Sequence, residues 1–113
     1  MSRYSILILL GAALPGILPA QDAANGKRVF LRDGCYECHG YNGQGTVQGA
    51  RLAPPVLNAD GMVRYVRKPA GAMPAYTDKV LSDQEVKDIY AYLKTMPGPK
   101  PVKDIPLLDQ LRK

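Results

Sequence analysis

The chain has 113 residues, 46% of them apolar, with a formal charge of +5, no Trp, one Phe and seven Tyr. That length suits one small domain, and the apolar content excludes an intrinsically disordered chain. No apolar run reaches the ~18 residues needed to span a bilayer, and the mild positive charge lacks the dense basic stripe of a nucleic-acid binder.

The first twenty residues differ in kind from the rest. Arg3 is their sole charge, Ile6 to Leu14 is continuously apolar, and small or turn-forming residues lead up to Ala20. A basic start, a short apolar core and an alanine before the polar boundary predict a secretory signal peptide over residues 1–20. Pro15 and Pro19 make the alternative, an uncleaved anchor, a poor spanning helix. Leu18 is larger than an ideal cleavage site favours, so the bond itself is left open. Export places the mature chain outside the cytoplasm, in a bacterial periplasm. Loss of Arg3 takes the charge from +5 to +4.

Residues 22–34 read as a helix with Asp22 and Asn25 as rival caps; Ala23, Gly26, Val29 and Phe30 share one face and Gly34 ends it. Gly26 costs such a helix about 1 kcal/mol relative to Ala, so it is either simply tolerated or kept to let another helix approach closely. Residues 40–55 carry four glycines and end in two prolines, which predicts a surface loop. A short helix is predicted over residues 58–68, with Met62, Tyr65 and Val66 on one face and Pro69 as its stop. "PAGAMPAYTDKV" is again a loop. Residues 81–96 give the clearest helix. Ser82 and Glu85 form a capping box, Val86, Ile89, Tyr90 and Leu93 an apolar stripe, and Pro97-Gly98 the end. The Pro-rich tail, residues 98–113, offers Leu107, Leu108 and Leu111 either as one amphipathic turn docked on the body or as a frayed end.

Both cysteines and the single histidine fall within "CYECH", residues 35–39. A disulfide between Cys35 and Cys38 would leave the adjacent histidine as coincidence. A thioredoxin-like pair expects a βαβ setting, and a zinc site needs ligands that this chain does not supply. The remaining reading is covalent haem c attachment. Cys35 and Cys38 are then tethers about one helical turn apart, and His39 is an iron ligand whose second ring nitrogen needs an acceptor. A sixth ligand cannot be a second histidine. Of the methionines beyond residue 20, Met62 lies on a helical stripe and reads as core, and Met96 ends the last helix. Met73 sits in a loop between Gly71 and Pro74, the setting for a residue that reaches a cofactor. Met73 is the favoured ligand, with Met62 and an open site as alternatives.

With these features in order, the chain resembles the class I c-type cytochromes over residues 22–96. The resemblance rests on the Gly26 and Phe30 pair, "CYECHG", "APPVL", "GAMPAY" and "DIYAYLK". It implies an all-α cytochrome c fold over residues 21–97, with three main helices and loops wrapped around one haem. It implies that the first and last helices cross, Gly26 and Phe30 meeting Ile89, Tyr92 and Leu93. It also implies that the Pro55 carbonyl, with Pro54 as runner-up, accepts from His39. Propionate partners do not transfer cleanly; Arg51, Arg64, Arg67 and Tyr65 are the candidates.

The function implied is single-electron transfer rather than catalysis. A periplasmic dehydrogenase is the expected donor, and an oxidase or another cytochrome the acceptor. Lys27, Arg28, Arg67, Lys68 and Lys79 are candidate steering charges. Two other readings stand beside this one. A dedicated subunit of one oxidoreductase would dock through "IPLLDQLRK". An open-site haem enzyme or gas-binding protein would need Met73 off the iron, and the lack of a distal histidine counts against it.

Overall fold

Asp22 opens the first helix. Its carboxylate accepts from the N–H groups of Ala24 at 2.9 Å and Asn25 at 3.0 Å, which decides between the two predicted caps. The computed structural model describes residues 20–111, so the expected leader falls outside the described residues except for Ala20. Helix α1 runs Ala23–Arg32, α2 Cys35–His39, α3 Ala59–Arg67, α4 Asp83–Lys94 and α5 Pro106–Gln110, with one 3-10 turn at Val102–Asp104. No strand occurs among the described residues, and the class is all-α, with α1, α3 and α4 as the main helices. Among the described residues no helix is long and apolar enough to cross a membrane.

The capping box of α4 is present in full. Glu85 N–H donates to Ser82 Oγ at 3.2 Å, and Ser82 N–H donates to Glu85 Oε2 at 2.9 Å. The face it orients buries Val86, Ile89, Tyr92 and Leu93. Tyr90, expected on that stripe, is only half-buried, with the Lys94 ammonium 5.5 Å from its ring centre. Tyr92 takes the inward place, where its ring meets Phe30 at 5.7 Å between centroids and its hydroxyl donates to the Tyr41 carbonyl at 2.9 Å. The crossing partner, not the helical period, chooses between the two tyrosines.

Helices α1 and α4 cross as the resemblance implied. A Cβ on Gly26 would stand 1.9 Å from the Asp88 carbonyl oxygen, so the two backbones touch there. Asp88 is the buried charged residue of the core, 4% exposed. Its carboxylate accepts from Asp22 N–H at 2.9 Å, Asn25 Nδ2 at 2.7 Å and Gln84 Nε2 at 2.9 Å. Burial opposes its ionisation, but those three donors outweigh burial and hold it below the usual carboxylate value. Nothing in the sequence pattern marked Asp88, because its partners lie across the helix crossing.

Helix α3 packs on α4 and buries Met62 and Val66. The last helix, α5, meets only the 3-10 turn among the described elements, and leaves Leu107 and Leu111 well exposed. Of the two expectations for the tail, docking on the body is not seen.

Two predictions follow from the crossing. Gly26→Ala is expected to destabilise the holoprotein by about 1–3 kcal/mol, because backbone rather than a pliable side chain blocks the methyl group. Guanidinium unfolding measures this, and an unchanged midpoint would show that the helices part freely. The second concerns acid. The Arg32 guanidinium donates to Glu85 at 2.8 Å and, with Ser82 N–H, holds the Glu85 carboxyl down to about 2, from 4.5. A depressed folded value means that the contribution is fully present above about 4.5 and is lost as pH falls through about 2. Glu85→Gln should flatten the stability–pH slope across that window, read from thermal unfolding at fixed ionic strength.

Candidate haem site

The "CYECH" segment is a helix of one turn set between two glycines. Gly34, at φ 71°, turns the chain sharply out of α1, and Gly40, at φ 78°, ends α2. Cys35 is half-buried against the core, and Cys38 is exposed. Both are free thiols, so the disulfide reading is not realised in this structure. Burial, with the Asp33 carboxylate second, pushes the Cys35 thiol up to about 11.

The glycine-rich loop folds back over this helix. Gly45 N–H donates to the His39 carbonyl at 2.8 Å, and Thr46 Oγ1 donates to the Cys38 carbonyl at 2.6 Å. Leu52 and Ala53 N–H groups both reach the Gly43 carbonyl, at 2.8 and 2.9 Å. Gly49 lies so close that a Cβ there would stand 2.5 Å from the Cys38 carbonyl oxygen. This folding sets the Ala50 carbonyl 2.6 Å from His39 Nδ1.

The acceptor role implied for Pro55 is therefore corrected, and that for Pro54 with it. The return of the loop at residues 43–53 delivers Ala50 to the imidazole before the chain reaches either proline. Pro55 instead lines a small recess of about 50 Å³ with Arg51, Leu52 and Met62. An acceptor carbonyl belongs to the backbone, and no side-chain signal in the sequence could have marked Ala50. With Nδ1 committed to a carbonyl, Nε2 is the ring nitrogen left for a ligand.

Cys35, Cys38, His39 and Met73 come together as the lining of one cavity of about 1370 Å³. Its apolar wall includes Phe30, Leu52, Val66, Leu81 and Ile89, so the cavity opens into the core itself. Small-molecule sites commonly span about 300–1,000 Å³, and a space this large with so apolar a wall asks for a large, mostly apolar group. A haem fits that description, and the thiols and imidazole are the functional groups that would hold one. Met62 also lines the cavity, but from the buried face of α3. Met73 lines it from a loop and is half-buried; Met96 does not reach it.

The loop that carries Met73 is tied down by Tyr76. Its N–H donates to the Val66 carbonyl at 2.9 Å, its carbonyl accepts from Arg67 Nη1 at 3.1 Å, and its hydroxyl donates to the Asp33 carbonyl at 3.1 Å. Arg67 also pairs with Asp83, so it is not a free charge for steering. Of the propionate candidates, Arg51 and Tyr65 line the cavity and Arg64 and Arg67 do not.

An all-α scaffold that closes around a C-x-x-C-H turn and a deep apolar cavity defines a c-type cytochrome. Residues 21–93 match the family described as cytochrome c oxidase, cbb3-type, subunit III, and the chain belongs to that family. It is 39% identical over 83 residues to the cytochrome bc1 complex cytochrome c subunit of Corynebacterium diphtheriae, covering 71% of this chain and 29% of that one. It is 28% identical over 97 residues to cytochrome c-555 of Methylococcus capsulatus, covering 82% of this chain and 79% of that one. The homologous subunit of Corynebacterium efficiens is 33% identical over 90 residues. The chain spans under a third of the length of the two corynebacterial relatives. The protein is thus a c-type cytochrome, a class whose cofactor is haem c.

Gly49 supplies a direct test of the loop geometry. Gly49→Ala should press on Cys38 and loosen the Ala50–His39 bond. In the reduced holoprotein the His39 Nδ1–H proton, followed by NMR, should then exchange with solvent faster than in the parent. Equal exchange rates would show that the loop absorbs the methyl group.

Proposed function

We propose that the protein is a monohaem, periplasmic carrier of single electrons, with His39 and Met73 as the two axial ligands. The observation that carries this reading is the shared cavity of Cys35, Cys38, His39 and Met73. The haem supplies the one-electron couple of its iron. The chain's own residues do the rest. Cys35 and Cys38 hold the porphyrin edge through thioether bonds, so the cofactor is not lost outside the cell. His39 presents Nε2, its tautomer and ring orientation fixed by the Ala50 carbonyl. Met73 would offer the iron a soft thioether, which would favour the reduced state and raise the potential. The apolar wall excludes water and limits rearrangement when the charge changes.

Residues 1–20 act as the export signal in this reading, and the mature chain works in the periplasm. Its donor is a periplasmic dehydrogenase or a respiratory complex, and its acceptor an oxidase or another cytochrome. Docking is small and transient, as electron-transfer encounters are. A second reading, a fixed subunit of a respiratory complex, draws support from the names of the corynebacterial relatives. The exposed tail with Leu107 and Leu111 is the segment that such docking would use.

The oxidised holoprotein is expected to show the weak red charge-transfer band of Met–Fe(III) ligation. Met73→Ala should abolish the band and let the reduced protein bind carbon monoxide. A parent protein that lacks the band and binds carbon monoxide readily would favour an open site. Truncation after Pro97 separates the two partner readings. A free carrier keeps its electron-transfer rate, whereas a docked subunit no longer co-purifies with its complex.

A further inference from the structure

We propose that Tyr76 is a positioning residue for axial ligation, a strap that holds the Met73 loop to the turn bearing the haem tethers. The inference rests on the reading of Met73 as the iron ligand. Tyr76 lies three residues beyond Met73 and ties its loop to two separate elements. Its backbone N–H and carbonyl bond to the end of α3, through the Val66 carbonyl at 2.9 Å and Arg67 Nη1 at 3.1 Å. Its side chain crosses to the other side of the site and donates to the carbonyl of Asp33, the residue that ends α1 two places before Cys35.

The Asp33 end is itself braced. The Arg32 guanidinium holds the Asp33 carboxylate at 2.7 and 2.9 Å and reaches Glu85 of α4 at 2.8 Å. The Arg67 end is braced by Asp83 at the start of α4. Both ends of the strap are therefore anchored to α4. Elsewhere the loop has little to hold it. Gly71 has no atom within 4 Å of where a Cβ would stand, and Ala72, Pro74 and Ala75 are exposed. The Met73 side chain packs against the core, and the backbone that carries it takes its place from the nearest hydrogen-bonded residue, Tyr76.

The strap should favour the methionine-bound arrangement over a displaced one by the net worth of its hydroxyl bond. A typical bond of this kind changes such an equilibrium by about 2- to 10-fold. Tyr76→Phe keeps the ring, which lines the cavity, and removes only the hydroxyl. In the oxidised holoprotein, exogenous imidazole competes with methionine for the iron, and its affinity reports that equilibrium. Tyr76→Phe is expected to raise imidazole affinity about 2- to 10-fold while the haem remains attached. Arg67→Gln, which weakens the other anchor, should change it in the same direction.

The outcomes are distinguishable. If Tyr76→Phe lowers the unfolding temperature but leaves imidazole affinity and the charge-transfer band of the parent, the residue is structural only and the strap is overturned. If the parent has no such band and Met73→Ala does not alter imidazole affinity, the axial reading of Met73 fails, and the strap fails with it. Raised affinity in Tyr76→Phe, with the band present in the parent and lost in Met73→Ala, supports both.

Discussion

The contact of Gly26 with the Asp88 backbone governs the rest of this molecule. It lets α1 and α4 approach until their backbones touch, and the approach seats Phe30 against Tyr92. Asp88 locks the same crossing with polar bonds. Its carboxylate gathers the first N–H before α1, the Asn25 amide of the first turn and Gln84 from its own helix. A buried carboxylate is costly unless its lone pairs are used, and here they are used to join the two helices. From this crossing the cavity follows. Phe30 and Ile89 stand at the joint and form part of its wall, and the C-terminal end of α1 fixes where the tether turn begins.

The cavity makes the core incomplete without a cofactor. Leu81, Val86 and Ile89 are buried among their neighbours and also line the open space. A domain this small buries only a modest share of its surface, so a large apolar group that completes the core also completes the fold. The exposure of Val56, Leu57, Tyr65 and Val80 has the same origin: each of them lines the cavity. Their exposure measures the space for the group rather than a free docking face.

Much of the fold was legible because its signals are local. The capping box at Ser82, the glycine stop at Gly34 and the Met62 and Val66 pair of α3 each lie within a few residues, and each formed as read. The tether turn was legible for a different reason, since few chemistries need two thiols and an imidazole at that spacing. The misreadings involve partners far along the chain. Tyr90 and Tyr92 both flank the inward face of α4, and only Phe30 decides between them. Asp88 drew no reading at all, because its partners Asp22 and Asn25 lie more than sixty residues away. The His39 acceptor is a backbone carbonyl, and a proline before x-Leu drew the assignment to Pro55 although the loop delivers Ala50.

The two proposed ligand positions differ in how the chain secures them. His39 sits on a helical turn enclosed by the folded-back loop, its imidazole held by a nearby carbonyl. Met73 sits on an open loop, and its constraint comes through Tyr76 from residues distant in sequence. Local constraints persist when remote contacts loosen, whereas a remote strap fails as a unit. Under the proposed ligation, the methionine side of the site is the one from which ligation would first be lost, and the histidine side the one on which the cofactor would stay. The proposed tethering through Cys35 and Cys38 would reinforce that asymmetry, because both cysteines share the His39 turn. Tuning of the centre by mutation should accordingly be easiest through the loop around Met73 and hardest through the turn around His39.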